Sequence, residues 1–402
     1  MNRLSKSFIN FFQKEQSTGI LLILCTLISL IIANSPVQIF YLELWEIPVR
    51  LQFGDFNFFN FHGKPLTFET FINEALMAVF FLSVGLEIKR EIYAGELANL
   101  KKALLPIMGA LGGMIIPAFI YMLFNYGTQT QSGAGIPMAT DIAFALGVLS
   151  LLGKKVPMAL KVFLTALAVI DDFGAIVVIA LFYTQDLSVF HLSIALMIWG
   201  VLLFLNKVKI YSLVPYLVGG IIMWYFMLNS GVHATISGVL LAFAIPFQKG
   251  EKKVNFSKLQ HLLQRPVNYI ILPLFALANT AIVVNSDIQN IFTQRYSQGI
   301  FFGLFLGKPL GIMLFSILAC VGKISKLPEG VLWKQMLGVG FLGGIGFTMS
   351  IFITLLAFDP ISQQDYINHA KFVILTTSLC SAFVGYFYLK KILFQNHSKI
   401  TN

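Results

Sequence analysis

The sequence predicts an all-α polytopic membrane protein of twelve transmembrane helices, and three observations carry that prediction. Of 402 residues, 57% are hydrophobic and only 11% are charged, whereas about 25% of an ordinary soluble domain is charged. Apolar runs recur from end to end, split by short polar connectors, and about 20 apolar residues suffice for one crossing. The basic residues, finally, fall almost entirely into alternate connectors. Lipid offers no partner to an unpaired backbone group, so open sheets are excluded and a helical bundle follows.

The twelve spans are read at 17–34, 70–88, 103–124, 134–152, 157–183, 189–205, 211–229, 232–247, 266–285, 297–319, 335–357 and 370–389. With both termini on one side, the connectors of that side carry twenty-three Lys and Arg residues, Lys89, Arg90, Lys101, Lys102, Lys323, Lys326 and Lys334 among them. The opposite side carries four, Arg50, Lys64, Arg295 and Lys371. Such an excess marks the cytoplasmic face, so both termini are expected in the cytoplasm. The net charge of +10 is therefore an orientation signal, and no nucleic-acid partner is expected. The one basic residue assigned to neither side, Lys308, lies inside span 10.

Thr18–Ala33 follows a basic N-terminus but lacks a small-residue cleavage site, so it reads as a retained first span rather than a secretory signal. Cys25, Cys320 and Cys380 are scattered through apolar runs, where packing is the plain reading and no disulfide framework arises. In the connector after span 1, Val49, Leu51 and Phe53 alternate with Arg50 and Gln52, then Gly54-Asp55 and Phe56 follow. Period-two alternation around a Gly-Asp turn predicts a β-hairpin within 45–66 on the outer, periplasmic side. Two strands alone are marginal in water, so the hairpin is expected to pair, either with another loop or with the same hairpin of a second copy in a homodimer.

The whole chain, 1–402, reads as one membrane domain with an internal repeat. Spans 3–5 and 10–12 run in opposite directions, which makes 103–183 and 297–389 an inverted pair and leaves 17–88 and 189–285 as scaffold. The middle span of each triple is rich in helix breakers. Span 4 holds Gly133, Gly135, Pro137 and Thr140-Asp141; span 11 holds Gly338, Gly340, Gly343, Gly344 and Gly346, then Thr348 and Ser350. Interrupted segments at matching positions mark a site near the bilayer midplane. Each broken helix brings a partly positive N-terminus and a partly negative C-terminus to that depth. Asp141 and Lys308 have the charges to compensate them. Gly303, Gly307 and Gly311 form a small-residue face for close helix contact beside Lys308.

The sharpest signal is Asp171-Asp172, in a run that is otherwise uncharged from Val162 to Tyr183. A charge at mid-membrane costs roughly 2.5–3.5 kcal/mol even on the lenient insertion scale, and two adjacent carboxylates repel each other. Both are more than ten residues from either span end, so helix capping does not account for them. Such a pair is kept where it faces water, a counter-charge or a cation, which points to movement of ions or protons. Neighbouring helical positions are ~100° apart, so one carboxylate can face water while the other faces a packed lysine. A hard cation wants oxygen ligands, and Thr140 or freed carbonyls can complete its shell.

The runs ALMAVFFLSVGLEIKRE (75–91), PMATDIAFALGVLSLLG (137–153), ALAVIDDFGAIVVIALFYT (166–184), SGVHATISG (230–238), LGKPLGI (306–312) and GIGFTMSIFI (344–353) closely resemble the NhaA sodium/proton antiporters. The resemblance covers nearly the whole chain in order. It implies a secondary transporter, not an enzyme, that exports Na+, and Li+ with it, in electrogenic and pH-dependent exchange for H+, with no cofactor. It assigns Asp172 as the main sodium and proton carrier and Asp171 as a second carrier able to pair with Lys308. It also implies a pH-responsive cluster at Glu87, Arg90 and Glu91, for which a solvated charged rim is the plain alternative. His233 reads as an interfacial histidine or a sensor, and His261 follows Gln260 where the family pattern has a glutamate, which weakens a carboxylate sensor there.

Three rivals are an intramembrane aspartyl protease, a proton-coupled carrier of an organic solute and a passive cation channel. The first needs two aspartates on separate helices, one in a Gly-x-Gly-Asp setting, and no such tetrapeptide occurs. The other two share the buried carboxylates and are separated only by assay.

Overall fold

The computed structural model describes residues 3–53, 56–61, 64–184, 187–247, 254–283 and 288–400. The Gly54-Asp55 turn and Lys249, Lys252 and Lys253 lie outside the described residues, as do the side chains of Arg3, Lys6, Lys14, Lys101, Lys102, Lys154 and Lys399. In chain order the helices are α1 (Arg3–Ala33), α2 (Gln38–Glu46), α3 (Phe68–Phe71), α4 (Met77–Ala94), α5 (Leu100–Asn125) and α6 (Ile142–Ser150). They continue with α7 (Met158–Phe182), α8 (Val189–Lys207), α9 (Val214–Leu228), α10 (Ile236–Ala244), α11 (Val254–Pro266) and α12 (Leu272–Asn279). The last are α13 (Ile288–Thr293), α14 (Arg295–Phe302), α15 (Lys308–Val321), α16 (Trp333–Gly343), α17 (Phe347–Ala357) and α18 (Gln364–Ile400).

Among the described residues, seven helices are long and apolar enough to cross a membrane, or nine if each of two bent pairs counts as one crossing. These nine coincide with expected spans 1–6 and 10–12. Spans 7, 8 and 9 correspond to shorter pieces: α9, the nine-residue α10, and α11 running through a π-helical turn (Val267–Ile271) into α12. Length and composition therefore support a polytopic helical membrane protein without fixing the number twelve. α2, which the sequence reading did not foresee, turns 116° from α1.

The segment expected to form one hairpin holds two minimal antiparallel pairs instead. β1 (Gln52–Phe53) pairs with β2 (Phe56–Asn57), and β3 (Asn60–Phe61) with β4 (Lys64–Pro65). Its start, at residues 45–46, belongs to α2. Phe58 between the pairs stacks on Tyr225 at 5.0 Å, and Phe59 packs edge-on to Trp224 and Phe71. Alternation foresaw the extended backbone but not that its aromatic residues would anchor it to helices of its own chain.

By internal contacts the chain forms two compact units. Unit 1 comprises Met1–Leu24, Glu96–Ala175 and Val284–Asn402; unit 2 comprises Cys25–Gly95 and Ile176–Val283. In unit 2, α4 packs on α10 with almost no gap: a Cβ at Gly238 would fall on the Ala78 carbonyl, and one at Gly85 would lie 2.7 Å from Ala242 Cβ. Leu82, Leu86, Leu202, Tyr216, Met223 and Ile245 fill the core around them. The Ser29 hydroxyl donates to the Leu277 carbonyl at 2.7 Å, tying the second half of α1 to α12.

Two basic residues counted as connector charges are buried. Lys89 is 4% exposed, and its ammonium donates to the carbonyls of Ala242, Phe243 and Ile245 at 3.3, 2.7 and 2.5 Å. The last carbonyls of a helix have no partner within it, and a cation is favoured at that end. At the opposite end of the same helix Glu74 accepts the Ala234 N–H at 3.2 Å. One membrane span thus supplies an anion to the start of α10 and a cation to its finish. Lys371 is likewise 6% exposed, inside α18 rather than on the outer rim. Removing both residues leaves twenty-two basic residues against three, so the orientation signal stands. The cysteines also depart from uniform packing: all three are free thiols, Cys25 buried, Cys320 half-buried and Cys380 exposed.

In unit 1, α5 and α15 form the closest helix pair. A Cβ on Gly112 would fall on the Gly311 carbonyl and one on Gly311 on the Gly112 carbonyl, while Gly307 faces Pro117 Cα and Gly303 faces Pro137. The glycine face read from the sequence is thus the contact surface. A π-helical turn, Gly303–Gly307, immediately precedes Lys308. Single π turns widen a helix and recur at functional sites.

Candidate functional site

Span 4 is interrupted at residues 139–141. A 3-10 helix (Gln131–Met138) ends at Ala139, whose backbone is extended (φ −81, ψ 150), as is that of Asp141 (φ −80, ψ 99), before α6 begins. Gly133, Gly135 and Pro137 belong to the 3-10 helix, so the glycines do not make the break. Asp141 does, because its side chain caps α6 by accepting the Phe144 N–H at 3.0 Å, in place of a helical turn that a short carboxylate competes with. Span 11 breaks between α16 and α17 at Gly344–Gly346 and bends by 47°.

The two breaks satisfy each other's backbone. The Asp141 N–H donates to the Ile345 carbonyl at 2.7 Å, and the Ser350 hydroxyl to the Ile136 carbonyl at 2.7 Å. The Thr140 hydroxyl lies 2.8 Å from the Gly343 carbonyl, at the finish of α16. Asp141 Oδ2 accepts both the Thr348 N–H, at 3.1 Å, and the Thr348 hydroxyl. The Asp141 carboxylate is therefore shared by two helix N-termini, α6 through Oδ1 and α17 through Oδ2, where a negative charge is favoured.

Lys308 is the cation of the cluster. It is fully buried, and its Nζ lies 2.6 Å from Asp171 Oδ2. The same oxygen accepts from the Thr140 hydroxyl at 2.8 Å. Asp171 Oδ1 is buried and receives no hydrogen bond from the described residues. The sequence reading gave Lys308 two partners, helix C-termini and, through the family resemblance, Asp171; its ammonium bonds the carboxylate, and Thr140 reaches the C-terminal carbonyl of α16. Close packing locates the lysine. Gly340 lets α16 approach within 2.9 Å of Pro309 Cα, counted from a Cβ, and Gly344 opens onto the Leu304 carbonyl.

Asp172 is the next residue on α7, about 100° round the helix from Asp171. It is 2% exposed. The expectation that one carboxylate faces an open water funnel is not met in this conformation, in which both are enclosed. Five of the predicted site residues, Thr140, Asp141, Asp171, Asp172 and Lys308, are joined by direct bonds or chain adjacency. Among the described residues no group of three or more His, Cys, Asp or Glu side chains is arranged as a metal centre.

The remaining candidates belong to unit 2. Arg90 pairs with Glu87 at 3.4 Å and with Glu91 at 3.0 Å, and is itself more than a third exposed. His233 Nε2 lies 3.0 Å from the Tyr183 carbonyl, and its Nδ1 lies 3.7 Å from Glu74. His261 is exposed on α11. Sequence reasoning named Thr348 only as a polar residue of a glycine-rich span. Its position two residues into α17 was the signal that it could bind a capping carboxylate.

Interrupted apolar helices, a shared capping aspartate and a buried aspartate–lysine pair define a polytopic membrane protein built around an internal polar site. The chain belongs to the family described as Na+/H+ antiporter 1, whose model matches residues 9–389. It is 58% identical over 386 residues to the Na(+)/H(+) antiporter NhaA of Flavobacterium psychrophilum, covering 96% of each chain. It is 53% identical over 395 residues to the Na(+)/H(+) antiporter NhaA 1 of Flavobacterium johnsoniae, covering 98% of this chain and 99% of that one. It is also 53% identical over 390 residues to the NhaA antiporter of Dechloromonas aromatica, with 96% of each covered. These are transporters, and the chain is a transporter rather than an enzyme.

Proposed function

We propose that this chain exports Na+, and Li+ with it, across a bacterial inner membrane in electrogenic, pH-dependent exchange for H+, with Asp171 and Asp172 as the carriers. The observation that carries the reading is the Asp171 carboxylate. One oxygen is held by Lys308 and Thr140, and the other is enclosed without a hydrogen bond from the described residues. An oxygen so placed suits a proton or a hard cation.

Protons and sodium compete for the same carboxylates. Protonation neutralises Asp171 and weakens its hold on the ammonium; deprotonation restores the pair or admits a cation beside Asp172. Carrying the site across with both carboxylates bare leaves charges in a poorly solvating medium, which is costly, so only loaded forms change sides. That restriction couples the two ions. If two protons enter for each sodium that leaves, one net charge crosses per cycle, and the potential contributes about 2.3 kcal/mol per 100 mV. Asp141 and Thr348 hold the breaks of spans 4 and 11 together while the neighbouring carboxylates change load. The topology that supports this reading has both termini cytoplasmic, 103–183 and 297–389 as an inverted transport core, 17–88 and 189–285 as scaffold, and the 45–66 segment as a periplasmic homodimer contact. Glu87, Arg90, Glu91, His233 and His261 stand as modulators of the pH response.

A sodium pulse given to everted vesicles containing a pH dye tests the exchange. Alkalinisation of the vesicle lumen, reported by the enclosed dye, on sodium or lithium, absent with organic solutes and absent without the protein, is the expected result. Proton movement driven only by an organic solute would replace the reading by a solute carrier.

A further inference from the structure

At the end of the α14–α15 span, on the face that carries the basic connectors, Ile317, Cys320, Val321 and Trp333 line a cleft of about 370 Å³. Small-molecule sites occupy about 300–1,000 Å³, so the cleft accommodates part of one acyl chain rather than a whole lipid. Val321 is 75% exposed, and Ile324 and Leu332 beside it are about half exposed. Tryptophan at the end of a span is the residue type that settles at the headgroup level.

Charge borders the cleft. Lys323, Lys326 and Lys334 are all exposed on or beside the connector between α15 and α16, against the single acid Glu329. Lys323 follows Cys320 through a tight helix ending: its N–H donates to the Cys320 carbonyl at 3.1 Å, and the Ile324 N–H to Ala319 at 2.9 Å. Its φ of 57 is left-handed, at the position where helices normally end in glycine. Among the described residues only Lys209 and Lys323 are non-glycine with positive φ. A lysine retained where glycine fits without steric cost draws attention to its side chain.

We propose that this cleft binds an anionic phospholipid of the surrounding bilayer, seating an acyl-chain segment against Ile317, Cys320, Val321 and Trp333 while Lys323, with Lys326 and Lys334, holds the headgroup phosphate. The inference requires only that the span Arg295–Val321 crosses a membrane and is independent of ion exchange.

The full-length chain is placed in nanodiscs of phosphatidylcholine and phosphatidylglycerol with bromine on the acyl chains of one lipid at a time. The fluorescence lost between wild type and Trp333→Phe isolates the Trp333 signal. Brominated phosphatidylglycerol is expected to quench that signal at lower mole fraction than brominated phosphatidylcholine, with a preference of about fivefold for each lysine engaged. Lys323→Gly separates headgroup binding from helix capping. Its melting temperature should equal or exceed that of wild type, while the preference falls by about fivefold. Equal quenching by the two lipids in wild type would overturn the site, and an undiminished preference in Lys323→Gly would remove Lys323 from it. Mass spectra of the intact protein released from mixed nanodiscs give a second readout: phosphatidylglycerol adducts should exceed phosphatidylcholine adducts, and parity contradicts the proposal. Neither assay uses an ion gradient, so their failure leaves the exchange reading untouched.

Discussion

Lys308 Nζ lies 2.6 Å from Asp171 Oδ2, and the Thr140 hydroxyl shares that oxygen at 2.8 Å. Both charges are fully buried, so each exists there because of the other. Lys308→Ala leaves an uncompensated buried carboxylate, and breaking such a pair costs about 3–5 kcal/mol. The loss should appear as a lower melting temperature in detergent. Adding Asp171→Asn should recover part of it, because the stranded charge is then gone. Lys308→Arg should retain exchange. A double variant no more stable than Lys308→Ala would show that the lysine acts through packing rather than charge.

Asp141 serves two helix starts with two oxygens. In Asp141→Asn only one carbonyl oxygen remains, so either the Phe144 or the Thr348 contact is lost and about 1–3 kcal/mol goes with it. Thr348→Val removes one donor and should destabilise less than Asp141→Asn. Thermal unfolding of the two single variants and their combination measures the coupling, and strict additivity would contradict a shared carboxylate.

Gly311→Ala places a methyl group on the Gly112 backbone carbonyl. Neither backbone yields easily, so a loss of about 1–3 kcal/mol is expected. Gly200, within α8, has nothing within 4 Å of an added Cβ, and Gly200→Ala should be neutral or stabilising by up to about 1 kcal/mol. Melting curves showing the reverse order would refute the close-packed α5–α15 contact.

The 45–66 segment bears on oligomeric state. Excising residues 51–57 removes the β1–β2 pair but keeps Phe58 and Phe59 on their partners Tyr225 and Trp224. The expected outcome is a shift from dimer to monomer, read by mass photometry, with exchange retained. A variant that remains dimeric would move the contact elsewhere.

Much of the site was legible because its residues are costly in lipid. Asp171, Asp172 and Lys308 stand out against apolar runs, and the Thr140-Asp141 pair falls among helix breakers. The family resemblance offered Asp171 as a partner for Lys308, but spacing alone did not choose between that carboxylate and helix ends, since the choice depends on packing of Gly340 and Gly344 against Pro309 and Leu304. Lys89 was misread as a rim charge because a lysine three residues from Ile92 near a helix finish looks the same whether it meets water or the carbonyls of α10. The position of the break at 139–141 rather than at Gly133 or Gly135 was set by a capping bond, which spacing alone does not reveal. Three π-helical turns, Ile72–Leu76, Val267–Ile271 and Gly303–Gly307, occur among the described residues, and they carry no sequence signature that periodicity detects.

Asp172→Asn is nearly isosteric and removes one carboxylate charge. It should insert and fold as wild type yet reduce sodium-dependent proton movement to background. Exchange near the wild-type rate would show that Asp172 is not a carrier.

The central claim is that sodium and protons compete for one carboxylate pair, and sodium-saturation curves at several pH values on one membrane preparation test it most directly. A bare carboxylate binds sodium and a protonated one does not, so lowering the pH must raise the apparent KM for sodium and leave the maximal rate nearly unchanged. Because the two aspartates titrate as a unit, log KM should fall with rising pH at a slope between about −1 and −2. Gln260 cannot titrate, and Gln260→Glu should leave that slope unchanged. A KM constant across pH, with the whole effect in the maximal rate, would contradict competition and place pH control in a separate gate.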